Sequence, residues 1–204
     1  MQTSRRLLAA IGTLVTMLAC MTLATASAGV QDAPTRDWVT EPGVDPPSYA
    51  VADPVDSNLN VDAVVLVCNE SGKRRYLDLE IHPSTLGPLL PAGADPEQLK
   101  EDPGVEIIVD GRVFPAELLF TDSYAVVADS HEDLAPSISA ASVSDALLDA
   151  MQYGKSMKLR FDLLEEEEGQ PRVDAELVLD LQAGATAIAA VRRCASAGLH
   201  QVSR

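Results

Sequence analysis

Three cysteines, three histidines and 31 acidic residues are the groups through which this 204-residue chain could do chemistry. The histidines, His82, His131 and His200, form neither an i, i+4 pair nor an H-E-x-x-H order, and Cys68 and Cys194 lie far apart with no neighbouring His. No zinc motif is therefore written in the chain. Gly154-Lys155-Ser156 ends like a phosphate-binding loop, but the first Gly of G-x-x-x-x-G-K-S would fall on Asp149, and the tripeptide follows an expected helix instead of preceding one. No Ser stands in a G-x-S-x-G elbow. The run 129–133, with Asp129, Ser130, His131 and Asp133 and with Ser123 nearby, brings nucleophile, base and acid types together, although a loop of turn formers has the same composition. Asp129, Glu132 and Asp133 lack the alternating ligands and central Gly of a calcium loop. The four acids 165–168 read as a solvated turn. No catalytic residue, metal ligand or cofactor motif is assigned.

Charge narrows the function classes. Fifteen basic against 31 acidic residues give a formal net charge of −16, which repels nucleic acid phosphates. A hydrophobic share of 47 % suffices for a core, whereas 4 % aromatic residues and a single Trp argue against a carbohydrate platform of stacked rings. The first 28 residues look like an address: Arg5 and Arg6, an apolar stretch over 7–23, then Ala26-Ser27-Ala28. A spanning helix needs about 20 apolar residues, and this stretch runs directly into the small-residue site. A secretory leader cleaved after Ala28 is expected, with a mature chain that is periplasmic or secreted and has no transmembrane span. Two variants stay open: Met17-Leu18-Ala19-Cys20 is a weak lipoprotein box that would anchor the protein through Cys20, and the Arg pair fits either a general or a twin-arginine leader. Loss of Cys20 with the leader leaves Cys68 and Cys194 as an even pair in an oxidising compartment, which predicts a disulfide between them.

Residues 29–58 carry Pro34, Pro42, Pro46, Pro47 and Pro54 and almost no periodic apolar pattern, so a Pro-rich acidic linker or disordered arm is expected there. Its Trp38 and Tyr49 are candidate partner contacts; alternatively they fold back onto their own domain. Beyond residue 59 apolar residues alternate at period two. Strands are expected at 59–68, 74–82, 105–109, 112–120, 124–128, 155–163 and 173–181, with Asp110-Gly111 as the clearest hairpin turn. Pro115 cannot donate to a ladder, which predicts an edge or a bulge. The loop 83–104 contains a capping-box order at Asp95-Pro96-Glu97-Gln98. One helix is expected from Ser142 or Ser144 to a left-handed terminus at Gly154, and a second over 185–197. The fold class is α+β: one domain over 59–197, mainly antiparallel β-sheet of about seven strands with two α-helices, followed by a tail at 198–204.

Residues 144–154 (S-D-A-L-L-D-A-M-Q-Y-G), the strand after them, and Leu179-Asp180-Leu181 running into 185–194 resemble the ending of the invasion-associated locus B type of exported proteobacterial protein. The resemblance implies a small exported β-rich domain without an established catalytic role, and it carries over no functional residue. The expected function is a non-enzymatic interaction or structural domain of the envelope whose partner is an unknown envelope protein. The alternatives are a small hydrolase or ligand-binding enzyme with a site on the loops 83–104 and 129–133, and an envelope lipoprotein.

Overall fold

The computed structural model describes residues 38–72, 74–85, 87–135, 138–165 and 173–197. The expected leader with Cys20 and the tail 198–204 lie outside the described residues, as do residues 29–37 of the arm. In chain order the elements are β1 (Val39–Thr40), β2 (Tyr49–Ala52), β3 (Asp56–Ser57), β4 (Val61–Ser71), β5 (Arg74–Pro83), β6 (Leu99–Val109), β7 (Arg112–Phe120), β8 (Ala125–Ala128), β9 (Ser130–Ala135), β10 (Ile138–Ser142), α1 (Asp145–Tyr153), β11 (Ser156–Leu164), β12 (Ala175–Asp180) and α2 (Ala185–Ala197). All seven strands read from alternation are present, as are both helices. Five further strands stand where a linker and a polar loop are expected. Residues 38–58 are thus not an arm: β1, β2 and β3 belong to the sheet, each too short for a period-two pattern to register. The polar loop after residue 129 is the hairpin β9–β10.

Ten strands form one antiparallel sheet in the order β1-β2-β4-β5-β8-β7-β6-β11-β12-β3. Its curvature follows from connectivity. β3 and β4 are seven positions apart in that order, which in a flat sheet is about 34 Å at the usual strand spacing. Only residues 58–60 join them, and so few residues span at most about 14 Å. The sheet therefore curls until its last strand lies beside its third. The concave side is filled by alternate residues of every long strand, among them Leu66, Leu79, Ile81, Ile107, Leu159, Phe161 and Leu177, all fully buried. Leu147, Leu148 and Met151 of α1 and Ile188 and Val191 of α2 complete the same core. Burying side chains of this size stabilises by about 1.5–3 kcal/mol each.

α2 packs against β1, β2, β4 and β5. Cys194 in its last turn is disulfide-bonded to Cys68 of β4, with Cα atoms 6.2 Å apart, as the pairing of the two cysteines predicts. α1 starts at Ser144, whose side chain accepts from the Leu147 amide. Its end differs from expectation. Gly154 has an extended backbone (φ −78°), not a left-handed one, and the reason for glycine there is space: a Cβ would stand 2.6 Å from the Ala150 carbonyl and 2.8 Å from Val109. The Asp110-Gly111 turn does use positive φ at both residues, 48° and 86°. The Asp95 capping box closes a single 3-10 turn, Pro96–Gln98.

Pro115 occupies a strand that is internal in the order, between β8 and β6, so the simple edge reading is corrected. The ladder to β8 covers only residues 117–120, however, and Pro115 lies beyond it, opposite Glu106 on the β6 side. The missing N–H therefore costs no second ladder.

Candidate functional site

Trp38 precedes β1 and is enclosed in its own domain at 5 % exposure. Its Nε1 donates to the Asp180 carbonyl at the end of β12, at 3.1 Å. Of the two readings offered for Trp38, the structure has it folded back and not displayed to a partner. Tyr49 is half-buried on the outer face of β2, opposite Val67 of β4.

Of the residues of the hydrolase alternative, Asp129 and Ser130 are engaged within the fold. Both carboxylate oxygens of Asp129 are taken by Ser144, one by its amide (2.6 Å) and one by its hydroxyl (2.5 Å). Ser130 Oγ sits 2.9 Å from Ser142 Oγ across the β9–β10 hairpin. Asp129 and Ser130 therefore anchor the hairpin and the start of α1. The side chains of His131, Glu132 and Asp133 lie outside the described residues, as does His200. The would-be phosphate loop is occupied from within, because the Asp110 carboxylate accepts from the amides of Lys155 and Ser156, each at 3.0 Å.

A different group of titratable residues comes together on β5. Tyr76, Asp78, Glu80 and His82 alternate along that strand and share its convex face, opposite the core residues Leu77, Leu79 and Ile81. Cross-strand partners on that face are Asn69, Val67, Val65 and Ala63 of β4. A convex face is normally wet, yet Asp78 and Glu80 are only 7 % and 8 % exposed. Asn69 Nδ2 donates to Asp78 Oδ2 at 2.7 Å, while Asp78 Oδ1 is buried with no hydrogen-bond partner among the described residues. Glu80 Oε2 lies 3.0 Å from His82 Nε2, and the His82 ring stacks on Tyr124, with centroids 5.3 Å apart.

The electrostatics follow from that placement. Burial pushes the Asp78 carboxyl up to about 6; the Asn69 hydrogen bond opposes this, and the neighbouring Glu80 adds to it. Burial, then Asp78 and Tyr124, raise the Tyr76 hydroxyl. Glu80 is the largest cause of the rise at Tyr124, followed by burial and Asp78. A buried, perturbed carboxyl beside a second acid and a stacked His is the pattern by which functional sites are recognised. Among the described residues no set of three or more His, Cys, Asp or Glu side chains is arranged to hold a metal ion.

The rest of the convex face is built otherwise. On β6, β11 and β12, Arg160 meets Glu106 and Glu176, each at 3.4 Å, Lys158 meets Glu176 at 3.1 Å, and Lys100 meets Asp162 at 2.5 Å. Glu106, Asp162 and Glu176 there have cationic partners. Asp78 and Glu80 have, among the described residues, only an amide and a histidine.

Y-x-D-x-E-x-H over residues 76–82 is a visible signal in the sequence, since period two puts all four polar groups on one face. What alternation does not disclose is that this face is enclosed, because the enclosure comes from distant residues such as Tyr124. No protein-family model, no curated protein and no solved structure matches the chain.

Proposed function

We propose that this protein is an exported envelope domain that works by protein contact and not by catalysis. The observation that carries the reading is a continuous row across the convex face: Leu119, Val126, Glu80, Val65, Val51 and Val39 are successive cross-strand partners on β7, β8, β5, β4, β2 and β1. Cross-strand partners point to the same side, so five apolar side chains flank one carboxylate over six strands. The two ends of the row are open to solvent, Val39 at 64 % and Leu119 at 41 % exposure. The middle of the row, Val126 and Glu80, is buried, so the exposed apolar ends Val39 and Leu119 are where a contact would begin.

The leader-like first 28 residues support export, and the Cys68–Cys194 disulfide is compatible with an oxidising compartment. The resemblance of the C-terminal third to invasion-associated locus B type proteins agrees with both localisation and a role without chemistry. Among the described residues no helix is long and apolar enough to cross a membrane.

Two measurements test the proposal. Fractionation of the native host with intact-mass analysis should find a chain beginning at Gly29 in the envelope or medium; a full-length cytoplasmic chain would overturn export. Crosslinking followed by pull-down from the same fraction should recover a partner whose capture is lost when Val39 and Leu119 are both changed to Lys. Capture of nothing, or capture indifferent to those changes, would overturn the contact role of this row.

A further inference from the structure

Resting on the contact-domain reading, we infer that the convex face around Asp78 and Glu80 receives a polypeptide segment that sets a lysine or arginine among apolar side chains, with the cation seated at the two carboxylates.

Four observations on the site converge. Asp78 is more than nine-tenths buried and keeps one carboxylate oxygen without a hydrogen-bond partner among the described residues. An unpaired carboxylate so placed is costly, and a partner's ammonium or guanidinium supplies the donors it lacks. The second acid, Glu80, stands two positions along on the same face, and only His82 is within ion-pair distance of it among the described residues. The contrast with the convex face of β6 and its neighbours makes this specific: Glu106, Asp162 and Glu176 each meet a lysine or arginine of the chain, while Asp78 and Glu80, among the described residues, meet none. Finally, the surroundings fit an alkyl stem and a charged head. Val65, Val67 and Val126 flank the carboxylates, and Tyr76 and Tyr124 bring phenol rings, the kind against which a cation rests favourably, to the same face.

The test uses the full exported chain with its disulfide intact and a fluorescent alternating valine–lysine heptapeptide, followed by anisotropy. The double variant Asp78→Asn with Glu80→Gln is expected to bind at least about tenfold more weakly than the unaltered chain. A second double variant, Glu106→Gln with Glu176→Gln, removes the same charge from the other half of the face and is expected to bind as the unaltered chain does. A valine–glutamate heptapeptide is expected to bind none of them. Near-ultraviolet circular dichroism on each variant establishes that the fold persists. Equal loss in both double variants would reduce the effect to net charge and overturn the inference, and so would absence of binding to the unaltered chain. The contact-domain reading fails separately: a partner captured from the envelope that binds the Asp78→Asn, Glu80→Gln chain undiminished sinks the cation site and leaves that reading standing.

Discussion

Trp38 and Asp180, 142 positions apart, are joined by an indole N–H to carbonyl hydrogen bond that ties the beginning of the sheet to the end of β12. The same ring packs on Gly184, where a Cβ would come within 2.6 Å of Trp38 Cδ1. Trp38 is thus a seam in the curled sheet, holding together strands that the hydrogen-bond ladder leaves apart.

Removing the seam is expected to be severe. Trp38→Ala should cost about 3–5 kcal/mol, the usual range for a large aromatic deleted from a core. Trp38→Phe keeps most of the packing and loses the hydrogen bond, at about 1 kcal/mol. Gly184→Ala should destabilise through the ring contact alone. Urea unfolding followed by circular dichroism checks all three, since the chain has no second Trp to report on.

The disulfide closes a loop with 126 positions between its cysteines. Cys68→Ser or Cys194→Ser is expected to lower stability by about 2–5 kcal/mol, and reduction of the unaltered chain should do the same. Mass analysis after alkylation should show two of the thiols reacting only once a reductant has been added; thiols that react without it would contradict the bridge.

Stability should depend on pH through Asp78. Its carboxyl is raised in the folded chain from 3.8 to about 6, so between those values the folded state holds a proton that the unfolded state has released. The sign is therefore unusual for an acid: the fold is most favoured below about pH 4 as far as this group is concerned, and loses stability as pH rises through 6. Two pH units correspond to about 3 kcal/mol, and solvent screening brings the expected effect to about 1–2 kcal/mol. Asp78→Asn removes the ionisation, so the variant should gain on the unaltered chain by that amount between pH 4 and pH 7.5. A gap between the two chains that does not change with pH would show that Asp78 does not titrate in this window.

Asp129 is expected to matter for folding and not for turnover. Asp129→Ala strips Ser144 of the partners for both its amide and its hydroxyl, and should cost about 1–3 kcal/mol. Ser144→Ala removes the helix cap and should cost about 1 kcal/mol. The two should not add, because they share one network; thermal unfolding of the single and double variants measures this. A hydrolytic activity that fell with Asp129→Ala while the fold was retained would revive the loop-site alternative.

Long alternating runs were legible because a strand with one buried face writes that face into every second residue: Met157, Leu159, Phe161 and Leu163 of β11 are all buried and their neighbours are not. The 2–4-residue strands β1, β2 and β3 carry no such record, and the prolines around them point the other way. β9 and β10 mix polar residues with small apolar ones without a long period-two run, and Ser130, Ser142 and Asp129 bridge the two ends of that hairpin and the start of α1. At Gly154 the residue type was informative and the inferred cause was not, because a crowded backbone and a left-handed backbone both select glycine. The site on β5 was half-written: its side chains and their common face follow from alternation, but burial of Asp78 depends on groups brought in from other strands.

The short link between β3 and β4 sets an order of assembly. β3 finds its ladder only on β12, and neighbouring Asn58 exchanges hydrogen bonds with Glu176, 118 positions later. β3 therefore has no template until nearly the whole domain has been made available, whereas β1 and β2 pair in series onto the nearby β4. The closure through β3 belongs to the high-contact-order pairings that form slowly. Amide protection during refolding should appear first in β4, β5, β6 and β7, whose pairings are local hairpins, and last in β3. A chain handled by an export apparatus from its N-terminus onward would thus carry β3 unpaired until β12 arrived.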